Sequence, residues 1–108
     1  MQVLKDFDLS EVLWYKIGGK ARYVLEVSSQ EDLVKSLEFV AREKISKFMA
    51  IGLGANLIFT DDIYDGCIIK INADKEQISA DGEVVTAFAG NILDDVIQFS
   101  FDLGLIGL

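Results

Sequence analysis

The sequence predicts a mixed α/β fold built from small sheets with flanking helices. Two patterns lead to this prediction. Residues 23–51 show a strand–helix–strand succession, and Asp81-Gly82 stands between two apolar runs as a hairpin turn does. A second helical period follows the hairpin, between Asn91 and Gly104. We therefore expect strands in both halves of the chain and one helix in each half.

The first half contains the strand–helix–strand unit. Tyr23–Val27 alternates as a strand does, and Ser28 with Glu31 has the spacing of a capping box that opens a helix. That helix is expected to end near Lys44, before the apolar strand Phe48–Ile51. Its buried face is expected to contain Leu33, Leu37, Val40 and Ala41. A unit of this kind favours two parallel, paired strands joined by a crossover helix.

The second half begins with the apolar strand Cys67–Ile71. Gln77–Ala80 and Val84–Phe88 flank Asp81-Gly82 and are predicted to form the hairpin. We expect no disulfide, because Cys67 is the single cysteine, and we interpret it as a small core residue.

The last predicted element is a helix. Asn91 is expected to cap it, and Asp94 and Asp95 lie in its first turn, where acidic side chains suit the helix dipole. Gly104 is well placed to end it. One side of this helix is expected to contain Leu93, Val96, Ile97 and Ser100.

The composition excludes several function classes. The 108 residues include no histidine and carry a formal net charge of −8, which argues against histidine-based catalysis and against nucleic-acid or anionic-membrane partners. No apolar run approaches the ~20 residues that span a bilayer, and the N-terminus lacks the pattern of a signal peptide. We therefore expect a cytoplasmic protein. The apolar ending at Leu108 suggests the front part of a longer chain.

The segment Gly52-Leu53-Gly54-Ala55-Asn56-Leu57, directly after a predicted strand, is a candidate phosphate loop. Glycine accepts positive φ values, so such a turn can aim several backbone N–H groups at one anion. It is not the dinucleotide fingerprint, which needs a third glycine at the position of Leu57 and a helix directly afterwards. A Walker loop is excluded because no Gly-Lys-Ser/Thr follows. The alternative is a tight turn between two strands.

Three further groups have a functional and a structural interpretation. Gly18 and Gly19 lie between cationic side chains, which suits a pyrophosphate or a solvated turn. Trp14 with Tyr15 has the chemistry to stack on a flavin or adenine ring, but packing or edge-strand surface is the favoured interpretation. The third group is the acidic set Asp61, Asp62 and Asp65. It lacks the further ligands of a calcium loop, so we predict no metal site.

Three segments, in order along the chain, resemble one enzyme family. They are Tyr15-Lys16-Ile17-Gly18-Gly19-Lys20-Ala21, then Gly52-Leu53-Gly54-Ala55-Asn56-Leu57-Ile58-Phe59-Thr60-Asp61, then Ala89-Gly90 with Leu103-Gly104-Leu105-Ile106-Gly107-Leu108. The UDP-N-acetylenolpyruvoylglucosamine reductase (MurB) family has Asn-Thr-Phe-Arg-Ile-Gly-Gly-x-Ala, Gly-x-Gly-Ser-Asn-Leu-Leu-x-x-Asp, and Ala-Gly with Gly-Leu-x-Gly-Leu at these places. The resemblance covers residues 13–108.

The resemblance implies an FAD-binding domain of the vanillyl-alcohol-oxidase type, with roughly 1–66 as a first α/β subdomain and 67–108 as the start of a second. It implies NADPH as hydride donor and a UDP-sugar as substrate, in peptidoglycan synthesis. The implied flavin contacts are Ile17, Gly18, Gly19, Gly52, Leu53, Gly54, Ala55, Asn56 and Leu57.

This sequence departs from the family in three ways. Leu13-Trp14 stands where the family has Asn-Thr. Ala55 replaces the family's serine, which removes one hydroxyl donor. The family's catalytic residues and its substrate domain would follow Leu108, so we name no catalytic residue and expect no activity from this chain alone. The alternatives are a stand-alone related module that binds a nucleotide or self-associates, and another flavoenzyme of the same fold.

Overall fold

The computed structural model describes residues 1–11, 18–52, 59 and 62–107. Its strands are β1 (Gln2–Asp8), β2 (Lys20–Val27), β3 (Phe48–Ile51), β4 (Tyr64–Ile71), β5 (Ser79–Asp81) and β6 (Val84–Thr86). Its α-helices are α1 (Gln30–Arg42) and α2 (Leu93–Asp102). The first four strands form one sheet in the order β1-β2-β4-β3, and β5 and β6 form a separate hairpin. This confirms the predicted α/β fold of small sheets and flanking helices.

The centre of the larger sheet is β4, which pairs in parallel with β2 on one side and with β3 on the other. β2 and β3 therefore run in the same direction, as predicted, but the prediction that they pair with each other was wrong. The reason is burial. Residues 66–70 of β4 are buried without interruption, as expected of a strand that is covered on both faces, whereas the short β3 forms the edge.

The sequence analysis did not predict β1, which pairs antiparallel with β2. In a regular strand, side chains three residues apart point to opposite faces, so Leu4 and Phe7 would not share a face. Asp6 has a φ of 49° and interrupts the alternation. Both Leu4 and Phe7 consequently pack against the same core cluster.

Each face of the large sheet carries its own core. One cluster consists of Leu9, Ala21, Val24, Ile51 and Ile68. The other consists of Leu25, Val27, Phe39, Val40, Cys67 and Ile69. Because α1 contributes Phe39 and Val40 to the second cluster, this helix covers that face of the sheet.

The rotation of α1 differs from the prediction. Val40 is buried and Leu33 packs against the core, but Leu37 is 46% exposed and Ala41 is exposed as well. The Phe39 ring meets the Tyr23 ring edge-on at 5.3 Å, which places Phe39 toward the sheet. The apolar periodicity of the sequence is compatible with several rotations of α1 about its axis. The contact between Tyr23 and Phe39 favours the rotation that is observed.

The cap of α1 lies one residue later than the sequence predicts. Ser29, not Ser28, is the N-cap, and its hydroxyl accepts the Asp32 N–H at 3.0 Å. The Asp32 carboxylate in turn accepts the Ser28 N–H at 3.2 Å and pairs with the amino group of Met1. Asp32 thus accepts the Ser28 N–H in place of Glu31, because Asp32 also forms an ion pair with the N-terminal amino group.

The two serines give a matched test of this cap. We expect Ser29→Ala to lower the free energy of unfolding by about 1 kcal/mol, since an N–H of the first turn loses its acceptor. Ser28→Ala should cost less, because its exposed hydroxyl only supplements the bond from the Ser28 backbone. Urea denaturation of both variants measures the difference. A larger loss for Ser28→Ala would contradict the observed cap.

The predicted hairpin is confirmed with shorter strands. Asp81 pairs with Val84, and Gly82 adopts a φ of 61° in the turn between them. The change from one sheet to the other occurs after Ile71, so the predicted subdomain boundary near residue 66 falls inside β4. The division into two subdomains stays a prediction.

The stop of α2 is confirmed and its start is corrected. Gly104 has a φ of 76°, and the N–H groups of Gly104 and Leu105 donate to Phe101 and Ser100 at 2.9 Å each, which is a Schellman motif. The N-cap is Ile92, without a side-chain bond, so the prediction that Asn91 caps this helix was wrong. Neither described helix is long and apolar enough to cross a membrane.

The predicted apolar side of α2 is only partly buried. Ser100 is buried and Val96 is half-buried, but Leu93 and Ile97 are 63% and 37% exposed. The helical period identified one stripe of side chains, but a period alone does not show whether another element covers it.

Candidate functional site

The candidate site lies at the carboxyl ends of the parallel strands β3 and β4. Gly52 follows β3, and Asn72 follows β4. The turn Ala89-Gly90 meets both: a Cβ added at Gly52 would lie 3.9 Å from the Ala89 carbonyl oxygen, and one at Gly90 only 2.7 Å from the Ile71 oxygen. Ligands of open α/β sheets bind at this end of the strands.

Lys70 is the main residue of this site that the sequence analysis missed. It lies on β4 beside Ile51 of β3 and is only 9% exposed. Its ammonium donates to the carbonyl oxygen of Gly52 and, at 3.1 Å, to Oδ1 of Asn72. Burial lowers the pKa of Lys70, while the charge of Glu26 on the neighbouring strand opposes that shift. The available signal was a single lysine within the apolar run 67–71.

Asn91, which does not cap α2, instead supports the turn at the site. Its Oδ1 accepts the Phe88 N–H at 2.7 Å, and its Nδ2 donates to the Asp74 carbonyl at 2.8 Å. These bonds close the Ala89-Gly90 turn and tie it to the segment that follows β4. The turn is therefore held against the sheet by hydrogen bonds as well as by the close approach of Gly90.

Gly18 and Gly19 lie at the other end of the sheet. They precede β2, and the register pairs Ala21 of β2 with Tyr64 at the start of β4. Gly52, in contrast, follows the β3 residue that pairs with Lys70 near the end of β4. At ~3.3 Å per residue, Gly19 and Gly52 are roughly 26 Å apart along the strands. The Gly19 carbonyl accepts the Leu9 N–H at 2.9 Å. A single phosphate cannot contact both Gly19 and Gly52.

Other predicted site residues lie outside the described part of the chain. These are the flavin contacts Ile17, Leu53, Gly54, Ala55, Asn56 and Leu57, together with Trp14, Tyr15 and Asp61. In the described part, Asp65 forms an ion pair with Arg22 at 2.8 Å on the surface. That pair accounts for one of the three acidic side chains without a metal.

Cys67 is fully buried in the core beneath α1, which confirms its interpretation as a core residue. Burial raises the pKa of the Cys67 thiol from 9.0 to about 11. At neutral pH the thiol is therefore protonated and unsuited to nucleophilic chemistry.

The Cys67 thiol gives a pH-dependent prediction. Folding favours its protonated form, so this contribution to stability is fully present below pH 9.0 and is lost as the pH rises toward about 11. We expect the free energy of unfolding of the unmodified chain to fall more steeply over that range than that of Cys67→Val. Urea titrations at a series of pH values measure both slopes. Equal slopes would contradict the shift.

Comparison with known proteins gives concordant results. No protein-family model matches the chain. It is 33% identical over 109 residues to a UDP-N-acetylenolpyruvoylglucosamine reductase of Caldicellulosiruptor bescii, covering 100% of this chain and 34% of that protein. The reductase of Carboxydothermus hydrogenoformans is 34% identical over 107 residues, covering 98% and 35%.

The fold leads to the same group of proteins. The crystal structure of a UDP-N-acetylenolpyruvylglucosamine reductase from Thermus caldophilus matches with a TM-score of 0.68 at 22% identity, covering 99% of this chain and 35% of that one. The chain thus spans about a third of the length of the relatives it matches. Sequence and fold together identify this chain as a relative of part of the UDP-N-acetylenolpyruvoylglucosamine reductase family.

Proposed function

We propose that this chain provides a flavin-binding portion of a UDP-N-acetylenolpyruvoylglucosamine reductase and holds a phosphate of FAD at the carboxyl ends of β3 and β4. One observation supports this most strongly: Gly52, Lys70 and the Ala89-Gly90 turn converge there. The candidate loop that the sequence predicts, Gly52 to Leu57, begins at this point. The predicted contacts at Ile17, Gly18 and Gly19 remain part of the proposal, for another part of an extended dinucleotide.

The residues at this place fit an anionic phosphate. Lys70 provides a buried positive charge, and its two bonds to described residues go to neutral oxygens. Gly90 allows its turn to approach β4 more closely than any side chain permits, which leaves backbone groups at the site. Lys70 and the Ala89-Gly90 turn would hold FAD, and the cofactor would supply the chemistry for hydride transfer from NADPH to the enolpyruvyl double bond of a UDP-sugar. The chain's own residues would bind and orient the cofactor.

We propose that the chain takes part in cytoplasmic peptidoglycan synthesis, and we assign it no catalytic residue. The family's proton donor and substrate domain are expected in the part of the relatives that this chain does not match. We therefore propose that this chain alone binds FAD but does not reduce the UDP-sugar.

Titration of the purified chain with FAD tests the proposal. Flavin fluorescence and calorimetry should both show saturable binding. Gly54→Leu should weaken it, because a bulky side chain obstructs the N–H groups of the predicted loop. Gly82→Ala is the control: its Cβ would meet nothing within 4 Å, and its cost comes only from the turn's φ of +61°. Absence of saturable binding, or equal effects of the two variants, would overturn the proposal.

A second candidate, self-association of a non-catalytic module, is favoured by the exposed apolar stripe of α2. Leu93 and Phe101 are 63% and 69% exposed at helical spacing, and Ile106 beyond the helix is 94% exposed. Patches of this kind drive association. Sedimentation should show a concentration-dependent dimer that Phe101→Asp abolishes. A monomer at all concentrations would exclude this candidate.

A further inference from the structure

We propose that Lys70 is a positioning residue for this phosphate site: its ammonium fixes the peptide at Gly52 and supplies the positive charge for an anionic ligand. This inference rests on the proposed function and extends it to a residue that the candidate motifs do not include. The ligand class is a pyrophosphate-bearing nucleotide, with the phosphate above the carboxyl ends of β3 and β4.

The described residues neutralise the buried charge of Lys70 only in part. Lys70 is only 9% exposed, and its bonds to described residues reach two neutral oxygens. Among residues 1–11, 18–52, 59 and 62–107, no carboxylate lies within ion-pair distance of its ammonium. A buried cation is costly unless it is paired with an anion. Glu26 acts on it only at longer range, so an anionic ligand would complete its compensation.

The Gly52 carbonyl lies just beyond the end of a strand. β3 ends at Ile51, and Gly52 is the first residue beyond the ladder. The ladder therefore does not fix the plane of the Gly52 carbonyl. The bond from the Lys70 ammonium provides that constraint, so the orientation of this carbonyl depends on the Lys70 side chain.

Lys70 is also linked to the Ala89-Gly90 turn. Asn72 accepts from the Lys70 ammonium through Oδ1, and its backbone N–H donates to Val27 at 2.7 Å. A Cβ added at Gly90 would lie 2.7 Å from the Asn72 carbonyl carbon. Lys70 therefore joins the exit of β3 to the turn that packs on β4. Loss of the side chain would loosen both sides of the site at once.

Three variants of the full chain separate charge from packing. Lys70→Met keeps the length of the aliphatic chain and removes the charge, whereas Lys70→Arg keeps the charge in a larger side chain. Lys5→Met makes the same change in net charge at an exposed position on the edge strand β1. FAD dissociation constants from calorimetry, with thermal unfolding as the folding control, compare the three with the unmodified chain.

We expect Lys70→Met to weaken FAD binding by at least about tenfold, since each tenfold is only ~1.4 kcal/mol. Lys70→Arg should stay closer to the unmodified chain than Lys70→Met, and Lys5→Met should stay within about twofold of it. A packing role predicts the reverse order, with methionine tolerated better than the bulkier arginine. That order, or equal binding by Lys70→Met and Lys5→Met, would overturn the inference.

A second measurement uses the unmodified chain and does not depend on how the variants fold. The ¹⁵N resonance of the Lys70 ammonium should shift during titration with ADP and stay in place with adenosine, which lacks phosphate. An unmoved resonance at saturating ADP would overturn the inference while leaving nucleotide binding intact. If the unmodified chain binds neither FAD nor ADP, the proposed function fails as well, so the two failures are distinguishable.

Discussion

Gly66→Ala is expected to lower the free energy of unfolding by about 3 kcal/mol or more. Gly66 is buried on the central strand β4, and a Cβ there would lie 2.2 Å from the Lys47 carbonyl oxygen. That oxygen cannot move freely, because it accepts the Cys67 N–H at 3.0 Å. The Tyr64 ring, 2.9 Å from the same Cβ position, obstructs the other side.

Urea denaturation of Gly66→Ala measures this loss, with Gly52→Ala as the matched glycine control. The Cβ of Gly52→Ala would meet its nearest neighbour at 3.9 Å, which is an ordinary contact. We expect the control to remain within about 1 kcal/mol of the unmodified chain. A loss at Gly66 no larger than at Gly52 would mean that β3 and β4 do not approach each other as observed.

Gly90→Ala is the second large expected effect, and it acts on the site. Its Cβ would lie 2.7 Å from the Ile71 oxygen and from the Asn72 carbonyl carbon. Both are backbone atoms, so no side-chain rotation can relieve the steric clash. The Ala89-Gly90 turn must then move off the end of β4. We expect a loss of about 2–3 kcal/mol in stability and a further loss of FAD affinity.

The two effects of Gly90→Ala are separated by measuring binding at a temperature where the variant is fully folded by circular dichroism. Asn91→Ala provides the comparison, because it removes the bonds to Phe88 and Asp74 while leaving room at the turn. Both variants should bind FAD less tightly than the unmodified chain. Unchanged FAD affinity in folded Gly90→Ala would show that this turn does not contribute to binding.

Local patterns predicted the elements that depend on neighbouring residues. Phe48–Ile51 is strand β3 with the predicted bounds, because four apolar residues between a lysine and a glycine suffice to define it. Gly104 ends α2 because only a residue that tolerates positive φ closes a Schellman motif. Asp81-Gly82 predicted the hairpin for a similar reason.

Features that depend on distant contacts were not predictable in the same way. The insertion of β4 between β2 and β3 is decided by burial on both faces, which no window of residues 23–51 reports. Asn91 is a good cap by residue type, yet its side chain serves the preceding turn through Asp74, 17 positions away along the chain. Ser29 prevailed over Ser28 because Asp32 also meets the amino group of Met1.

The candidate site likewise combines local features that the sequence predicts with distant contacts that it does not. The glycine at position 52 and the Ala89-Gly90 pair were recognisable from the sequence, but their contact across the end of the sheet was not. Lys70 has no motif of its own, and its importance follows only from burial and from its bond to Gly52. Gly18 and Gly19 were predicted to lie beside a pyrophosphate or in a solvated turn, and the strand register places them at the opposite end of the sheet from Gly52.

The most direct test of the central claim is an NMR titration of the ¹⁵N-labelled chain with FAD. If a phosphate binds at the carboxyl ends of β3 and β4, the amide signals of Gly52, Asn72 and Gly90 should shift together and saturate with one dissociation constant. Signals of the hairpin β5–β6 should remain unchanged. Saturable shifts confined to Gly18 and Gly19, or no saturable shift at any residue, would contradict the account.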